Sequence, residues 1–108
     1  MKIGTDIVEI ARVEKAIKKI NFLEKIFTEE EINLINKKGT STAACNFAGK
    51  EAVAKALGTG FRKISPKDIE ILRKENGEPY VKNREDIKIS LSHCKEYAIA
   101  MVIIVIST

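Results

Sequence analysis

The chain has 108 residues, 44% hydrophobic and 31% charged, with 19 Lys and Arg against 15 Asp and Glu for a net charge of +4. That length fits one domain around one core, the apolar content excludes a disordered chain, and the 2 cysteines exclude a disulfide-dense scaffold. The basic excess suits an anionic partner (nucleic acid, a phosphorylated small molecule or an acidic protein), and it equally suits a small protein kept soluble by lysine.

Lys2 to Ile7 reads as a short strand. Asp6 and Glu9 interrupt any secretory apolar stretch, so a cytoplasmic chain with no signal peptide is expected. From Val8 a helical pattern takes over, with Ile10, Val13, Ile17 and Ile20 on one stripe and Arg12, Lys15, Lys18 and Lys19 away from it. Asn21 breaks it, and Phe22, Leu23, Ile26 and Phe27 make a short apolar turn. Thr28 to Glu31 has the form of a capping box, which starts a helix that stops at Gly39. Ser41 or Thr42 caps the next helix, Ala43 to Leu57, and Gly58 ends it in a left-handed cap. Ser65-Pro66 signals a turn, Asp68 to Lys74 a strand, and Asn76-Gly77 a hairpin leading into Pro79-Tyr80-Val81. Ile87, Ile89 and Leu91 alternate with polar residues as in a half-buried strand. Ala98 to Ile106 is the longest apolar run, well short of the about 18–20 residues of a membrane helix, and reads as a central or interface strand. One strand, about three helices and then antiparallel strands make a single small α+β domain spanning residues 1–108.

The segment Ala43 to Gly58 carries a carboxylate on its apolar side. At 100° per residue, Ala44, Phe47, Ala48, Ala54, Lys55 and Gly58 lie within about 60° of Glu51, so Glu51 falls on the stripe this helix should bury. Burying an ionised carboxylate costs several kcal/mol unless it is compensated. Two compensations are open: an i, i+4 pair with Lys55, or a cation held by Glu51 with an anionic ligand on Lys55. Asp6, at the end of an apolar strand beside Gly4, is the natural second carboxylate, although a strand-end or capping aspartate is the commoner case. Carboxylates from two elements are what Mg²⁺ usually receives from protein, phosphate oxygens and waters filling the remaining positions. Cys45, Cys94 and His93 have the wrong spacing for a zinc site and read as structural.

Ile3-Gly4-Thr5-Asp6-Ile7-Val8-Glu9-Ile10-Ala11-Arg12 resembles the N-terminal signature of the holo-acyl-carrier-protein synthases, the small 4′-phosphopantetheinyl transferases. Phe47-Ala48-Gly49-Lys50-Glu51-Ala52 with Lys55-Ala56 and Gly58-Thr59-Gly60 resembles the second signature of that family; Asn76-Gly77 with Pro79-Tyr80, and Ser90-Leu91-Ser92-His93 with Tyr97-Ala98, resemble the third and fourth. The four stand in order and span nearly the whole chain. The resemblance implies transfer of the phosphopantetheine arm of coenzyme A to a serine of apo acyl carrier protein, for fatty acid biosynthesis, with adenosine 3′,5′-bisphosphate as the other product. It implies Mg²⁺ on Asp6 and Glu51, Glu51 or a metal-bound water as the base, and Lys55 on the leaving phosphate. It places Lys55, Gly58, Pro79 and His93 toward coenzyme A, His93 near its adenosine end, and Arg12 against the acidic carrier helix. It also implies a homotrimer with sites at subunit boundaries, and neither nucleic acid nor membrane as partner.

Two positions depart from the family pattern. Asn46 stands where an arginine is common, which removes an expected phosphate contact. Gly49 stands for alanine, at a cost of up to about 1 kcal/mol in helix propensity. Two rival readings draw on the same residues: a small basic RNA-binding module, which lacks an RNP-type aromatic cluster and a GXXG loop, and a non-catalytic trimer that binds carrier protein.

Overall fold

A computed structural model describes residues 1–106. Strand β1 (Lys2–Glu9) leads into helices α1 (Ile10–Ile17), α2 (Phe22–Ile26), α3 (Glu29–Lys38) and α4 (Thr40–Leu57). Two single 3-10 turns, Gly60–Arg62 and Pro66–Asp68, precede strands β2 (Ile71–Arg73), β3 (Pro79–Val81), β4 (Ile87–His93) and β5 (Tyr97–Ile104). The expected α+β arrangement is present, with four helices where about three were expected, because the apolar turn at Phe22 closes into a short helix.

Several boundaries differ from those expected. β1 continues to Glu9 because it stays paired with β5 as far as Glu9 opposite Tyr97, so the helix starts at Ile10 and not Val8. Ile20 lies outside α1 and is 88% exposed, since Asn21 turns left-handed at φ 65°. The capping box forms: Glu31 N–H donates to Thr28 Oγ1 at 3.2 Å and Thr28 N–H to Glu31 Oε1 at 3.1 Å. α4 starts at Thr40 directly after Gly39, without the side-chain cap expected from Ser41 or Thr42. Gly58 ends it at φ 83°, a backbone conformation glycine adopts without steric cost. The strand expected from Asp68 shrinks to Ile71–Arg73 because Pro66–Asp68 forms its own capped turn on Ser65.

The main sheet is antiparallel in the order β1-β5-β4, and β2-β3 form a separate hairpin. β5 is therefore the central strand. Its Ala98, Ala100, Val102 and Ile104 are buried, while Tyr97, Ile99 and Met101 on the other face are exposed. The alanine-rich α4 lies on the inner face, burying Ala48, Ala52, Val53 and Ala56 with Val102, Ile71 and Val81. Small side chains allow that close seating. A Cβ at Gly4 would collide with the backbone carbonyl oxygen of Ala52, so β1 touches α4 where no larger residue fits.

The opposite side of α4 is fixed by a buried polar hub. Lys50 (1% exposed) donates from Nζ to Glu31 Oε1 at 2.7 Å, Pro66 O at 2.8 Å and Ile69 O at 2.6 Å, using all three of its hydrogens. Glu31 (0% exposed) also accepts from Asn46 Nδ2 at 3.0 Å and Ile71 N–H at 3.2 Å. Asn46 thus lies in the core, where it orients Arg73, whose Nη2 donates to Asn46 Oδ1 at 2.8 Å. Position 46 here makes core contacts with Glu31, Ile71 and Arg73. Gly49 is buried as well. A Cβ there would lie 2.6 Å from Ile71 Cδ1 and 3.0 Å from Ile89 Cδ1, so the room it leaves for these side chains offsets its helix penalty.

Removing one partner of a buried ion pair leaves an uncompensated charge, which costs about 3–5 kcal/mol. Lys50→Met should destabilise the fold by about that amount, and Glu31→Gln added to Lys50→Met should recover part of it. Urea denaturation of the three proteins checks this; equal stability of wild type and Lys50→Met would contradict it.

Candidate active site

Side chains alternate along β1, so Gly4, Asp6 and Val8 face α4 while Ile3, Thr5 and Ile7 face outward. α4 brings Glu51 and Lys55, one turn apart, to the side that meets Asp6. Lys55 Nζ donates to Asp6 Oδ1 at 2.8 Å and to Thr5 O at 3.1 Å. The Asp6 side chain is 13% exposed and that of Lys55 56%, so the site is a sheltered carboxylate with a lysine reaching in from solvent.

Glu51 is partly buried. Burial first, and then the negative charge of Asp6, push its carboxyl above the ordinary glutamate value, while Lys55 opposes both. The hydrogen bond to Asp6 is the main cause that raises the Lys55 ammonium. Lys55 is thus hydrogen-bonded to Asp6 across elements and not to Glu51 along the helix, so the i, i+4 pair expected as one compensation for Glu51 is not formed as a hydrogen bond. Two carboxylates facing one lysine leave an excess negative charge, and this donor set fits a hard divalent cation with further ligands from water or phosphate. No group of three or more His, Cys, Asp and Glu able to hold a metal occurs among the described residues.

Gly58 lies one turn beyond Lys55, where α4 ends. Arg12 is exposed on α1 and lines an apolar cavity of about 410 Å³ with Ile7, Val13, Phe22, Phe47 and Tyr97. Of its lining residues, Phe47 is one turn before Glu51 on α4 and Ile7 follows Asp6 on β1. Pro79 and His93 are not brought to Asp6 within one chain. Pro79 opens β3 and lines a different cavity, of about 460 Å³, with Lys74, Tyr80, Arg84 and Lys88. His93 ends β4, the sheet edge opposite β1, with Nδ1 3.8 Å from Cys45 Sγ. Burial pushes the Cys45 thiol up, which keeps it protonated. Sequence reasoning missed the aromatic wall of the first cavity; the available signal was Phe47 on the same helical stripe as Glu51.

These features define a small α+β protein with a paired-carboxylate site between an edge strand and a central helix. The profile of the 4′-phosphopantetheinyl transferase superfamily matches residues 2–102. A holo-[acyl-carrier-protein] synthase of Fusobacterium nucleatum is 46% identical, over 94% of this chain and 96% of its own. One of Clostridium beijerinckii is 49% identical, over 91% of each chain. A crystal structure of a holo-(acyl-carrier-protein) synthase from Bacillus anthracis in complex with CoA (3′,5′-ADP) superposes with a TM-score of 0.86 at 39% identity, covering 95% of this chain and 94% of the other. The chain belongs to the 4′-phosphopantetheinyl transferase superfamily.

A carboxyl raised above its unfolded value contributes stability below that value and loses it as pH climbs through the folded one. In chelator, Glu51 therefore weakens the fold from about its ordinary 4.5 upward. Glu51→Gln should raise the metal-free Tm at pH 7 by about 1–3 °C, and the gain should vanish below about pH 4. Thermal melts across pH check this; a Glu51→Gln protein no more stable at pH 7 would contradict it.

Proposed function

We propose that this chain, as a single domain spanning residues 1–108, transfers 4′-phosphopantetheine from coenzyme A to a serine of apo acyl carrier protein, serving fatty acid biosynthesis. The observation that carries the reading is the convergence of Asp6, Glu51 and Lys55 from two elements into one sheltered site. Membership of the transferase superfamily and the coenzyme-A-bound neighbour support it. That membership also disfavours the RNA-binding reading, and a complete set of acidic and basic groups at one site disfavours a purely non-catalytic binder.

In this reading Asp6 and Glu51 hold Mg²⁺. The ion, when bound, offsets charge on the diphosphate of coenzyme A and helps align the incoming hydroxyl. Glu51, or a water held beside it, accepts the proton of the carrier serine. The serine oxygen forms its bond to the β-phosphorus as the bond to the bridging diphosphate oxygen breaks. Lys55 meets the charge that develops on the departing adenosine 3′,5′-bisphosphate. It is already aimed at the site and sits on a long flexible stem. Phosphoryl transfer needs mainly positioning and charge compensation, so these few residues suffice.

Gly58, at the end of α4, takes part in holding coenzyme A. Arg12, which lines the apolar cavity with Phe47, meets the acidic face of the carrier. Pro79 and His93 contribute to coenzyme A binding from a neighbouring subunit. That requires a homo-oligomer, which we take to be a trimer, and the exposed apolar sheet face of Ile3, Ile7, Ile99 and Met101 supports subunit association. No helix among the described residues is long and apolar enough to cross a membrane, in keeping with a cytoplasmic site of action.

Mass spectrometry of apo carrier protein incubated with coenzyme A, Mg²⁺ and this chain tests the reading. A mass gain of one phosphopantetheine is expected, with the rate reduced by about 10²-fold or more in Asp6→Asn. An unmodified carrier would refute the function, and a normal rate in Asp6→Asn would refute the site.

A further inference from the structure

Gly4 lies two residues before Asp6 on the same face of β1, and it is buried against α4. Its neighbours there are backbone atoms. A Cβ at this position would sit inside the contact distance of the Ala52 carbonyl oxygen, 3.0 Å from the Ala56 nitrogen and 3.1 Å from the Ala52 carbonyl carbon. None of these can rotate away, so any side chain forces strand and helix apart. Gly49 differs, because the atoms facing it are the ends of Ile71, Ile89 and Leu91 side chains, which can yield. Gly4 lies in regular strand and is not among the residues of positive φ, so close approach and not conformational freedom demands glycine there.

The two helix residues in contact each neighbour a site residue, since Ala52 follows Glu51 and Ala56 follows Lys55. Asp6 lies only about 6–7 Å along the strand from Gly4. β1 is an edge strand, paired among the described residues with β5 alone, so only one ladder holds it in the sheet. We propose that Gly4 is a positioning residue: its contact with the backbone of Ala52 and Ala56 sets the gap between Asp6 and Glu51, and with it the size of the ion this pair can hold. The inference rests on the assignment of a divalent cation to that pair.

Mg²⁺ demands oxygen ligands at about 2.0–2.1 Å in near-ideal geometry, whereas Ca²⁺ accepts about 2.3–2.6 Å in flexible geometry. A strand displaced by roughly 1 Å, enough to cost on the order of 10²-fold at a positioned site, therefore penalises the smaller ion more. The test is an NMR titration of β1 and α4 amides with Mg²⁺ alone and with Ca²⁺ alone, without coenzyme A or carrier. Gly4→Ala should weaken Mg²⁺ by about 10- to 100-fold and Ca²⁺ by clearly less. A folded Gly4→Ala protein that keeps wild-type Mg²⁺ affinity, or that loses both ions equally, overturns the proposal. Should Gly4→Ala fail to fold, Ala56→Val thickens the same surface of α4, and the same two outcomes apply to it. Because this readout uses metal alone, a failed carrier transfer alongside the expected ion pattern would count against the transferase reading and not against the role of Gly4.

Discussion

The site depends on how closely one strand can lie on one helix. β1 reaches the backbone of α4 only because residue 4 has no side chain and α4 presents alanines to it. Asp6 thereby comes within the field of Glu51 and within hydrogen-bonding reach of Lys55. No loop is needed to assemble the three charges. They sit on regular elements, which hold geometry more tightly than loops do.

The same closeness destabilises the metal-free fold, since two carboxylates share a partly buried space with a single lysine. Stability comes from the other side of the helix. There Lys50, next in sequence to Glu51, is fully buried with every donor used, and Glu31 accepts from Thr28 at the start of its own helix, from α4 and from β2. α4 thus has one side of satisfied polar packing and one side of frustrated charge, a division expected where function opposes stability.

Local chemistry made much of this legible from sequence. The capping box at Thr28, the left-handed stop at Gly58 and the alternation in β4 each depend on neighbours a few residues away, and each occurs in the structure. Features decided by distant partners were not legible. Val8 and Ile10 fit a helical period as well as a strand, and only the ladder to Tyr97 shows where β1 ends. Lys55 obeys the i, i+4 rule toward Glu51, yet the strand carboxylate 49 positions away holds it. Asn46 was read against a ligand, whereas its partners are Glu31, Ile71 and Arg73. Gly4 was noted as a neighbour of Asp6, but the collision that makes glycine necessary there exists only once α4 is packed.

Diffraction from crystals soaked in Mn²⁺, collected for its anomalous signal, tests the central claim most directly. One peak within coordination distance of both the Asp6 and the Glu51 carboxylates is predicted. Ions found only elsewhere, or bound through one of the two carboxylates while the other turns away, would contradict the account.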